Sequence, residues 1–384
     1  MTEWRQFKLK DILEPDGYIR GPFGSSLRRG ELKNEGIPVY EQEHAIKGIR
    51  KFRYYIDQNK FNELKRFCVK TGDIIISCSG TVGEVSVIKE EDPKGIISQA
   101  LLILRADKNV AYQPFLKYFL MSPYGKSSIT SRSDGSVQVN IAKRQVIENI
   151  DILLPPLTEQ KAIAEVLSSL DDKIDLLIRQ NKTLEDLAQA YFRKWFIEDI
   201  HNKICYKRFA DVAEFSKGKK PREIIEEQRK GYVRQILIDT FDTDKEYYTR
   251  PEGMIISTET DILMVMDGAS SGRVEIGFSG VVGSTIGMFR PKSDFKYPMF
   301  LYEFLKSNEE FIMDNTTGSA IPHADKKLIF ELEIPYFQEE KIQEFENFAL
   351  VLFNKRQNNR RQIRTLTKLR DTLLPKLISG EIRV

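Results

Sequence analysis

Two segments of the chain place apolar residues at the seven-residue period of a helix that supercoils on a partner. In residues 158–196, the first apolar position of successive heptads holds Ile163, Leu170, Leu177, Leu184 and Tyr191. The second apolar position holds Leu167, Ile174, Asn181, Ala188 and Trp195. A helix that lies on a globular core has a wider apolar stripe, so this pattern favours a coiled coil. We predict that Thr158 caps the start of the helix.

The second segment, residues 338–374, follows the same period, and Pro375 is expected to end it. Its apolar positions hold Phe345, Leu352, Leu366 and Leu373, with Ile342, Ala349 and Ile363 on the adjacent row. Each helix would be about 55 Å long, and the equal lengths favour an antiparallel pair within the chain. Asn181 and Asn359 would then meet near the centre and fix the register at a cost in stability. Two polar residues on solvated faces are the alternative.

The chain also repeats itself. The sequence YQPFLKYFLMS, which begins at Tyr112, returns as YPMFLYEFLKS at Tyr297, 185 residues later. TGDIIISCSGTVGEV and TDILMVMDGASSGRV match in the same way, and Asp73 of the first aligns with Asp261 of the second. A solenoid repeat would have a period of about 20–50 residues. The longer period indicates a duplicated domain, each copy followed by one long helix.

Apolar runs within each copy are bounded by Gly, Pro, Asp and Ser, which is typical of strands. The predicted fold class is α+β, with two duplicated, mostly β domains joined by two long helices in an intramolecular antiparallel coiled coil. The predicted boundaries are 1–154 for the first domain, 155–199 for the first helix, 200–334 for the second domain, and 335–384 for the second helix with the C-terminal tail.

Composition narrows the class of protein. No run of eighteen apolar residues suggests a membrane span, and the N-terminus lacks the apolar core of a secretory signal. Cys68, Cys78 and Cys205 have neither the number nor the spacing of a disulfide framework or a zinc site. We therefore expect a cytoplasmic protein without a bound metal. The net charge of +3 is too small to indicate a nucleic-acid partner by itself.

Several motifs carry a resemblance to a known family. GYIRGPFGSSLRRGE and GDIIISCSGTVGEV in the first copy, LPPLTEQKAIAEVLSSLDDKI at the first helix and LRDTLLPKLISGEIRV at the C-terminus resemble the specificity subunit of a type I restriction–modification enzyme. The resemblance covers essentially the whole chain in the order of the family. There are two departures: the second helix begins with PYFQEEK, and the second copy has no evident counterpart of GPFGSS.

The resemblance implies that each copy is a target recognition domain and that the chain binds a bipartite, asymmetric site in double-stranded DNA. It also implies that the chain recruits two methylation subunits and the restriction/translocase subunits, and performs no chemistry itself. No cofactor is expected on this chain, because S-adenosylmethionine, ATP and Mg would be bound by the partner subunits.

Loops with glycine, small polar residues and basic residues are the candidate DNA-binding surfaces, since such loops let backbone and side chains reach phosphates and base edges. In the first copy the candidates are Arg20, Ser25, Ser26, Arg28, Arg29, Thr81, Gln138, Asn140 and Lys143. In the second copy they are Lys217, Lys219, Lys220, Arg222, Ser270, Arg273, Ser319, His323, Lys326 and Lys327. For each residue alone, a solvated surface position is the alternative.

The end of the first helix has an aromatic cluster, Tyr191, Phe192, Trp195 and Phe196. It is larger than a helix end needs, so we expect part of it to be a docking patch for a methylation subunit. Packing against the chain's own recognition domain is the alternative.

Three other functions were considered. Asp16, Glu31 and Lys33 fit the loose Asp…Glu-x-Lys pattern of a magnesium-dependent nuclease, although their surroundings predict an exposed loop. A methyltransferase needs a glycine-rich loop and an Asn or Asp before its Pro-Pro, and LPPL has neither. A coiled-coil adaptor without DNA specificity would explain the helices but not the two duplicated domains.

Overall fold

The computed structural model describes residues 3–132, 139–198, 205–243, 245–318, 320–336 and 339–384. The chain forms two compact units, which we call unit 1 (Met1–Lys173 with Leu366–Val384) and unit 2 (Ile174–Thr365). Among the described residues, no helix has the length and apolar character needed to cross a membrane.

Unit 1 is built from short strands with a few short helices between them. Its strands are β1 Arg5–Lys8, β2 Leu13–Arg20, β3 Ile37–Tyr40, β4 Tyr55–Ile56, β5 Ile74–Ser77, β6 Val85–Val87, β7 Ile96–Ile97, β8 Leu101–Ala106, β9 Thr130–Arg132, β10 Val139–Ile141 and β11 Asp151–Leu154. Its helices are α1 Gln42–Ile46, α2 Gln58–Glu63, α3 Gln113–Met121, α4 Pro123–Ile129 and α5 Arg144–Glu148, with 3₁₀ turns at Leu9–Ile12, Gly24–Ser26, Arg29–Glu31 and Lys65–Phe67.

These strands form two main sheets. The larger has the order β2-β8-β5-β6 and is antiparallel throughout. The smaller has the order β4-β3-β7, with β3 and β7 parallel. Two further strand pairs, β1 with β11 and β9 with β10, complete the unit. β5 is a run of four buried residues, as expected for a strand covered on both faces.

A long helix, α6 Leu157–Arg193, follows β11 and continues into a π-helical turn at Lys194–Glu198. The strands of unit 2 are β12 Cys205–Arg208, β13 Ala213–Lys217, β14 Val233–Ile236, β15 Tyr247–Thr249, β16 Ile256–Ser257, β17 Ile262–Val265, β18 Val274–Ile276, β19 Gly280–Val282, β20 Ile286–Pro291 and β21 Glu333–Tyr336. Its helices are α7 Phe209–Val212, α8 Pro298–Ser307, α9 Glu309–Asp314 and α10 Lys326–Glu331, with a 3₁₀ turn at Ile238–Phe241. The second long helix is α11 Glu339–Ser379.

Unit 2 repeats the sheet topology of unit 1, which confirms the duplication. Its main sheet has the order β13-β20-β17-β18, and its second sheet has the order β15-β14-β19-β16, again with one parallel pair, β14 with β19. The register repeats as well. Tyr18 lies opposite Leu104, which pairs with Ile74. Phe215 lies opposite Phe289, which pairs with Ile262.

An identical ion pair supports the main sheet in each unit. The Arg105 guanidinium donates to both carboxylate oxygens of the buried Asp73, at 2.7 and 2.8 Å. In unit 2, Arg290 donates to Asp261 in the same bidentate manner, with both distances at 2.6 Å. Burial raises the pKa of Asp261, but the hydrogen bonds from Arg290 and Thr258 outweigh it and hold the pKa below its usual range.

In unit 1 the two long helices run antiparallel and close the core. Ile163 and Leu167 of α6 and Leu374, Leu377 and Ile378 of α11 belong to the same buried cluster. Two ion pairs show the antiparallel direction, because the later residue of α6 meets the earlier residue of the C-terminal segment. Asp171 binds Arg370 of α11 at 3.0 Å, whereas Glu159 lies 3.8 Å from Arg383, which follows the end of α11.

In unit 2 the remaining halves of the same helices also run antiparallel. The Asn359 side-chain amide donates to Asn181 Oδ1 at 2.9 Å, and Asn359 is fully buried. Further along, Arg356 lies 3.5 Å from Glu185. The meeting of the two asparagines is confirmed. Because a different register would bury either amide without its partner, the contact favours this pairing.

Three details of the helix predictions were wrong. Pro375 lies inside α11 rather than ending it. The buried Leu377 and Ile378 hold the last turn in the core of unit 1, which offsets the hydrogen bond that a proline removes from a helix. α6 begins at Leu157, one residue before the predicted cap. At its other end Tyr191 is 39% exposed and Phe192 is buried instead, because a straight helix drifts from a strict seven-residue repeat.

A buried carboxyl group in unit 2 is only partly compensated by its surroundings. Glu303 on α8 is 3% exposed, and its Oε2 has no hydrogen-bond partner among the described residues. Burial raises the pKa of Glu303 to about 8; Arg356 and Lys306 oppose the shift and Glu185 adds to it. Since the folded state then binds the proton more tightly than the unfolded state, the contribution to stability is present at acidic pH and is lost as the pH rises toward 8.

We therefore expect Glu303→Gln, which cannot ionise, to raise the free energy of unfolding of unit 2 at pH 9 by a few kcal/mol and to have little effect at pH 5. Urea unfolding would be followed by the fluorescence of Trp195, in a Trp4→Phe background that leaves one tryptophan. The exposed Glu310→Gln is the matched control and should change stability at neither pH. Equal effects of Glu303→Gln at both pH values would contradict the titration.

Candidate nucleic-acid interface

The loop that leaves β2 presents the first group of basic residues. Arg20 is the last residue of β2, and its guanidinium lies over the ring of Phe23 with 5.5 Å to the centroid. Phe23 is 61% exposed, and Arg20 Nη1 is buried without a hydrogen-bond partner among the described residues. Burial lowers the pKa of Arg20, partly offset by Tyr18. The chain therefore holds a half-buried cation beside an exposed aromatic ring.

Glycine is required where this loop begins. A Cβ at Gly21 would lie 1.9 Å from the carbonyl oxygen of Ser98, so no other residue fits without moving the backbone. The Gly21 amide donates to Leu101 O at 3.0 Å, which ties the loop to the end of the main sheet. The position of Arg20 and Phe23 is thus set by the sheet.

Two clefts lie on either side of this loop. The first, of about 530 Å³, is lined by Arg20, Phe23, Arg66, Lys143 and Arg144, among others. The second, of about 590 Å³, is lined by basic residues of the loop, by Arg53, whose guanidinium stacks on Tyr54 at 4.7 Å, and by the polar side chain of Gln99. Arginine beside aromatic rings and amides is a combination suited to phosphates and base edges.

The other predicted residues of the first copy have these positions. Ser26, Arg28, Arg29, Thr81 and Lys143 are exposed. Ser25 lies in the 3₁₀ turn Gly24–Ser26, and Asn140 lies in β10, where its backbone pairs with Ser131. Gln138 lies outside the described residues.

The turn after β5 has a further polar side chain beside it. Ser79 Oγ donates to Gln42 Oε1 at 2.9 Å, next to Gly80, whose φ is +66°. The structure thus holds the side-chain amide of Gln42, which the sequence analysis did not single out, beside the turn that contains Thr81.

Lys217 of unit 2 occupies the strand position that Arg20 occupies in unit 1. Each is the last residue of its strand, two residues after the Tyr18–Leu104 pair in unit 1 and the Phe215–Phe289 pair in unit 2. Lys217 Nζ lies 2.7 Å from Asp267 Oδ2. Both copies therefore present a cation at the same edge of the main sheet.

Asp267 also binds a second predicted residue, since His323 Nδ1 lies 2.8 Å from Asp267 Oδ1. Burial raises the pKa of Asp267, but the hydrogen bonds from Lys217 and His323 outweigh it and hold the pKa below its usual range. The carboxylate thereby brings together β13, the turn after β17 and the loop before α10. Lys217 and His323 were both predicted from the sequence as candidates, whereas Asp267, which links them, was not.

The remaining predicted residues of the second copy differ in whether their side chains are exposed or already have a contact within the chain. Lys220, Arg222 and Lys327 are exposed, Lys219 Nζ donates to Gly253 O at 2.9 Å, and Lys326 Nζ lies 4.6 Å from the centroid of Phe215. Ser270 is half-buried, and Ser319 lies outside the described residues.

Arg273 is the least available of the predicted cations. It donates to Asp242 at 2.8 Å and to Glu275 at 2.9 and 2.8 Å. These hydrogen bonds, the one to Asp242 first, raise the pKa of Arg273. A DNA contact by Arg273 would require the loss of these hydrogen bonds. Its DNA-binding role stays a prediction.

The nuclease hypothesis is not supported by the arrangement of its residues. Glu31 lies in a 3₁₀ turn and binds Lys60 at 2.8 Å, and Lys33 binds Asp57 at 2.8 Å. Asp16 lies on an exposed part of β2. Across the part of the chain that the structure describes, no three His, Cys, Asp or Glu residues are grouped to hold a metal ion.

The family model for the type I restriction modification DNA specificity domain matches residues 1–186 and 201–359, which is most of the chain. The chain belongs to this family. The two matched segments correspond to the two copies of the repeat, each with part of the long helix that follows it.

Individual relatives agree with the family match. The chain is 26% identical to the type I restriction enzyme MjaIX specificity subunit of Methanocaldococcus jannaschii, covering 100% of this chain and 94% of the relative. It is 23% identical to the type I restriction enzyme HindI specificity subunit of Haemophilus influenzae, covering 82% and 87%. The crystal structure of the S subunit from M. genitalium has the same fold, with a TM-score of 0.61 at 18% identity, over 98% of this chain and 96% of that one.

The aromatic cluster at the end of α6 divides into two parts in this specificity-domain chain. Phe192 and Phe196 are buried in the core of unit 2 against Phe300 and Phe345. Their burial corresponds to the core-packing alternative, so direct contact with a docking partner is left to the more exposed residues. Tyr191 is exposed and lies 4.7 Å from Phe348 between ring centroids, and Trp195 is half-buried. Their docking role stays a prediction.

Arg53 and Arg66, which line the two clefts beside the β2 loop, were not predicted from the sequence. A signal for both was present, because Arg53 lies between aromatic residues in FRYY and Arg66 precedes one in KRF. Interleaved basic and aromatic residues are typical of nucleic-acid surfaces, but they are also common on ordinary strands and turns. The fold is what places them beside Arg20.

If the β2 loop contacts DNA phosphates, Arg28→Gln with Arg29→Gln should weaken binding to duplex DNA of any sequence. The slope of log K against log salt concentration should become shallower by about 0.9 for each lost phosphate contact. Fluorescence anisotropy of a labelled duplex at several salt concentrations measures the slope. Lys10→Gln with Lys108→Gln, two exposed lysines of the same unit, is the control of equal charge. The same slope change in both double variants would show a general charge effect and argue against the loop.

Proposed function

We propose that this chain is the DNA specificity subunit of a type I restriction–modification complex and binds a bipartite, asymmetric site in double-stranded DNA, one half with each unit. The observation that carries the proposal is the equivalent placement of Arg20 and Lys217 at the edge of the same sheet in both copies. A duplicated fold that keeps a cation at one edge is suited to contact two segments of the same polyanion.

The two half-sites should differ in sequence. Around Arg20 the loop continues with Pro22, Phe23 and two arginines, whereas around Lys217 it continues with two lysines and Pro221. The turn after the central strand also differs, with Ser79 in unit 1 and Asp267 at the corresponding place in unit 2. Base edges are distinguished by their donors and acceptors. Unlike side chains on a shared frame therefore favour unlike half-sites.

The catalytic steps belong to partner subunits in this proposal. Two methylation subunits would bind S-adenosylmethionine, and the restriction/translocase subunits would bind ATP and Mg. The two long helices, with Tyr191 and Trp195, are the proposed docking surface for the methylation subunits. The family match and the names of the relatives, which are specificity subunits of restriction enzymes, support this division of labour. The complex would act in the cytoplasm, where it meets DNA.

The decisive experiment is a map of methylated adenines, by single-molecule sequencing, in cells that carry the methylation subunit with and without this chain. We expect methylation at a discontinuous sequence only when the chain is present. The purified chain alone should transfer no methyl group and should not cut DNA in the presence of magnesium. An unchanged methylation map would favour the adaptor hypothesis instead.

Exchange of one recognition domain tests the assignment of half-sites. Replacing residues 1–154 with the corresponding domain of another family member should change one half of the methylated sequence and leave the other half intact. The reason is that each copy has its own sheets and its own basic loops. The reciprocal exchange of residues 200–334 is the matched control. A change in both halves from either exchange, or a continuous site, would contradict the proposal.

The number of unread base pairs between the half-sites should depend on the long helices rather than on the recognition domains. Readers that enter the major groove from one face of the duplex have half-sites about ten base pairs apart, centre to centre. Removing one heptad from each helix, residues 173–179 and 362–368, shortens each by about 10 Å. We expect a shorter gap or loss of binding, with the half-site sequences unchanged, in the same methylation map. A gap of the original length would show that the helices do not set it.

A further inference from the structure

Unit 1 contains a cleft that neither the repeat nor the predicted loops account for. It has a volume of about 860 Å³ and lies beside the 3₁₀ turn Lys65–Phe67. Four exposed basic residues line it, namely Lys65, Arg66, Lys70 and Lys94.

Of the two acidic residues that line this cleft, Asp92 is neutralised by an arginine of the same unit. Asp92 is 4% exposed in its side chain and binds Arg50 at 2.8 Å. The fifth basic lining residue, Arg105, is held by Asp73 at 2.7 Å. Among the residues that the structure describes, none of the four exposed cations has a carboxylate within ion-pair distance, and Asp16 is the one exposed acid on the lining. The cleft thus has a surplus of positive charge.

The chemistry of the lining favours phosphate over a nucleobase. The lining residues include no Asn or Gln, the residue types that pair with adenine. Its aromatic ring, Phe61, is 4% exposed and is covered by Lys94, whose Nζ lies 5.3 Å from the centroid. A base would therefore find no stacking surface and no side-chain amide for its edge, whereas a phosphate would find several ammonium groups and a guanidinium.

The cleft is continuous with the candidate interface, because Arg66 lines both this cleft and the cleft that contains Arg20 and Lys143. Basic residues therefore extend from the β2 loop past Arg66 to Lys65, Lys70 and Lys94. A continuous row of cations on one surface is the arrangement that follows a sugar–phosphate backbone.

Unit 2 lacks this feature, as the strand register shows. Cys68 bridges to Ile96 in unit 1, and Ile256 pairs with Val281 at the same place in unit 2. Counting from these anchors, the positions of Lys65, Arg66, Lys70 and Lys94 are occupied in unit 2 by Gly253, Met254, Thr258 and Ser279. All four are uncharged, so the basic cleft belongs to one copy only.

We propose that this cleft of unit 1 binds DNA phosphates beside the base pairs that the β2 loop contacts, so that the first recognition domain holds more of the DNA backbone than the second. The proposal rests on the proposed function, and it adds a phosphate-binding surface and an asymmetry between the two copies.

The test compares the chain with a triple variant, Lys65→Gln, Arg66→Gln and Lys94→Gln, on a duplex that carries the methylated sequence. We expect weaker binding and a slope of log K against log salt concentration that is shallower by about two to three. The affected phosphates would be located with a series of duplexes in which one phosphate at a time is a neutral methylphosphonate. In the unaltered chain, some neutral phosphates next to the half-site of unit 1 should weaken binding, and these positions should have no effect in the triple variant.

The control is Lys10→Gln, Lys51→Gln and Lys108→Gln, which removes three exposed charges of unit 1 outside the cleft. This control should keep the methylphosphonate pattern of the unaltered chain. If the cleft variant kept the methylphosphonate pattern of the unaltered chain, the proposal would be overturned. It would also be overturned if the cleft variant and the control variant had the same slope of log K against log salt concentration. Competition by free ATP for the cleft, without any sensitive phosphate in the duplex, would assign it to a nucleotide and would also overturn it. If the proposed function itself were wrong, the unaltered chain would not bind the methylated sequence more tightly than other sequences. This outcome differs from those that overturn the cleft proposal alone.

Discussion

The closure of each core by both long helices is the constraint on which the rest of the structure depends. In unit 1, Ile163 of α6 and Leu377 of α11 lie in one buried cluster with the main sheet. In unit 2, Phe192 of α6 and Phe345 of α11 do the same. Exposure of the apolar face of each main sheet to water would be unfavourable, and both helices contribute residues to the buried cluster that covers it.

This closure makes both units discontinuous in sequence. Unit 1 needs the last nineteen residues of the chain, Leu366–Val384, and unit 2 needs the C-terminal half of α6 and the N-terminal half of α11. The basic loops stand on these cores, since Gly21 and the strand ends that carry Arg20 and Lys217 are fixed by the main sheets. The loops that we propose to contact DNA are thereby held by contacts far from them in sequence.

Much of this fold could be predicted from the sequence, because the signals are local or periodic. The heptad rows predicted the buried face of α6 from Ile163 to Ala188, and the repeat aligned Asp73 with Asp261, which bind equivalent arginines in the two units. The errors arose where a distant contact decides the outcome. Packing of Leu377 and Ile378 keeps a helix intact beyond Pro375, and the core of unit 2 selects Phe192 rather than Tyr191.

The candidate site was less predictable than the fold for the same physical reason. Its residue type shows that Arg273 can bind a phosphate, but only the structure shows that its guanidinium already donates to Asp242 and Glu275. Conversely, the sequence signal at Arg66 is weak, and its candidate role comes from its position on the lining of two clefts. Charge at a surface depends on which carboxylates fold next to it, and that pairing is a long-range property.

The polar groups buried beside the helices restrict how the two halves of the chain can be combined. Asn359 requires Asn181, and the carboxylate of Glu346 on α11 accepts the backbone amides of Met299 and Phe300 at the start of α8. An unpaired amide or carboxyl in these positions would cost more than the contact contributes when it is made. Such groups therefore add little stability but exclude alternative pairings. The sheets and helices can then remain constant while exposed side chains at the sheet edges vary in charge and shape between the two copies. The uncharged Met254 and Ser279 at the positions equivalent to Arg66 and Lys94 illustrate this freedom: the frame is repeated, and the proposed DNA-binding surface is not.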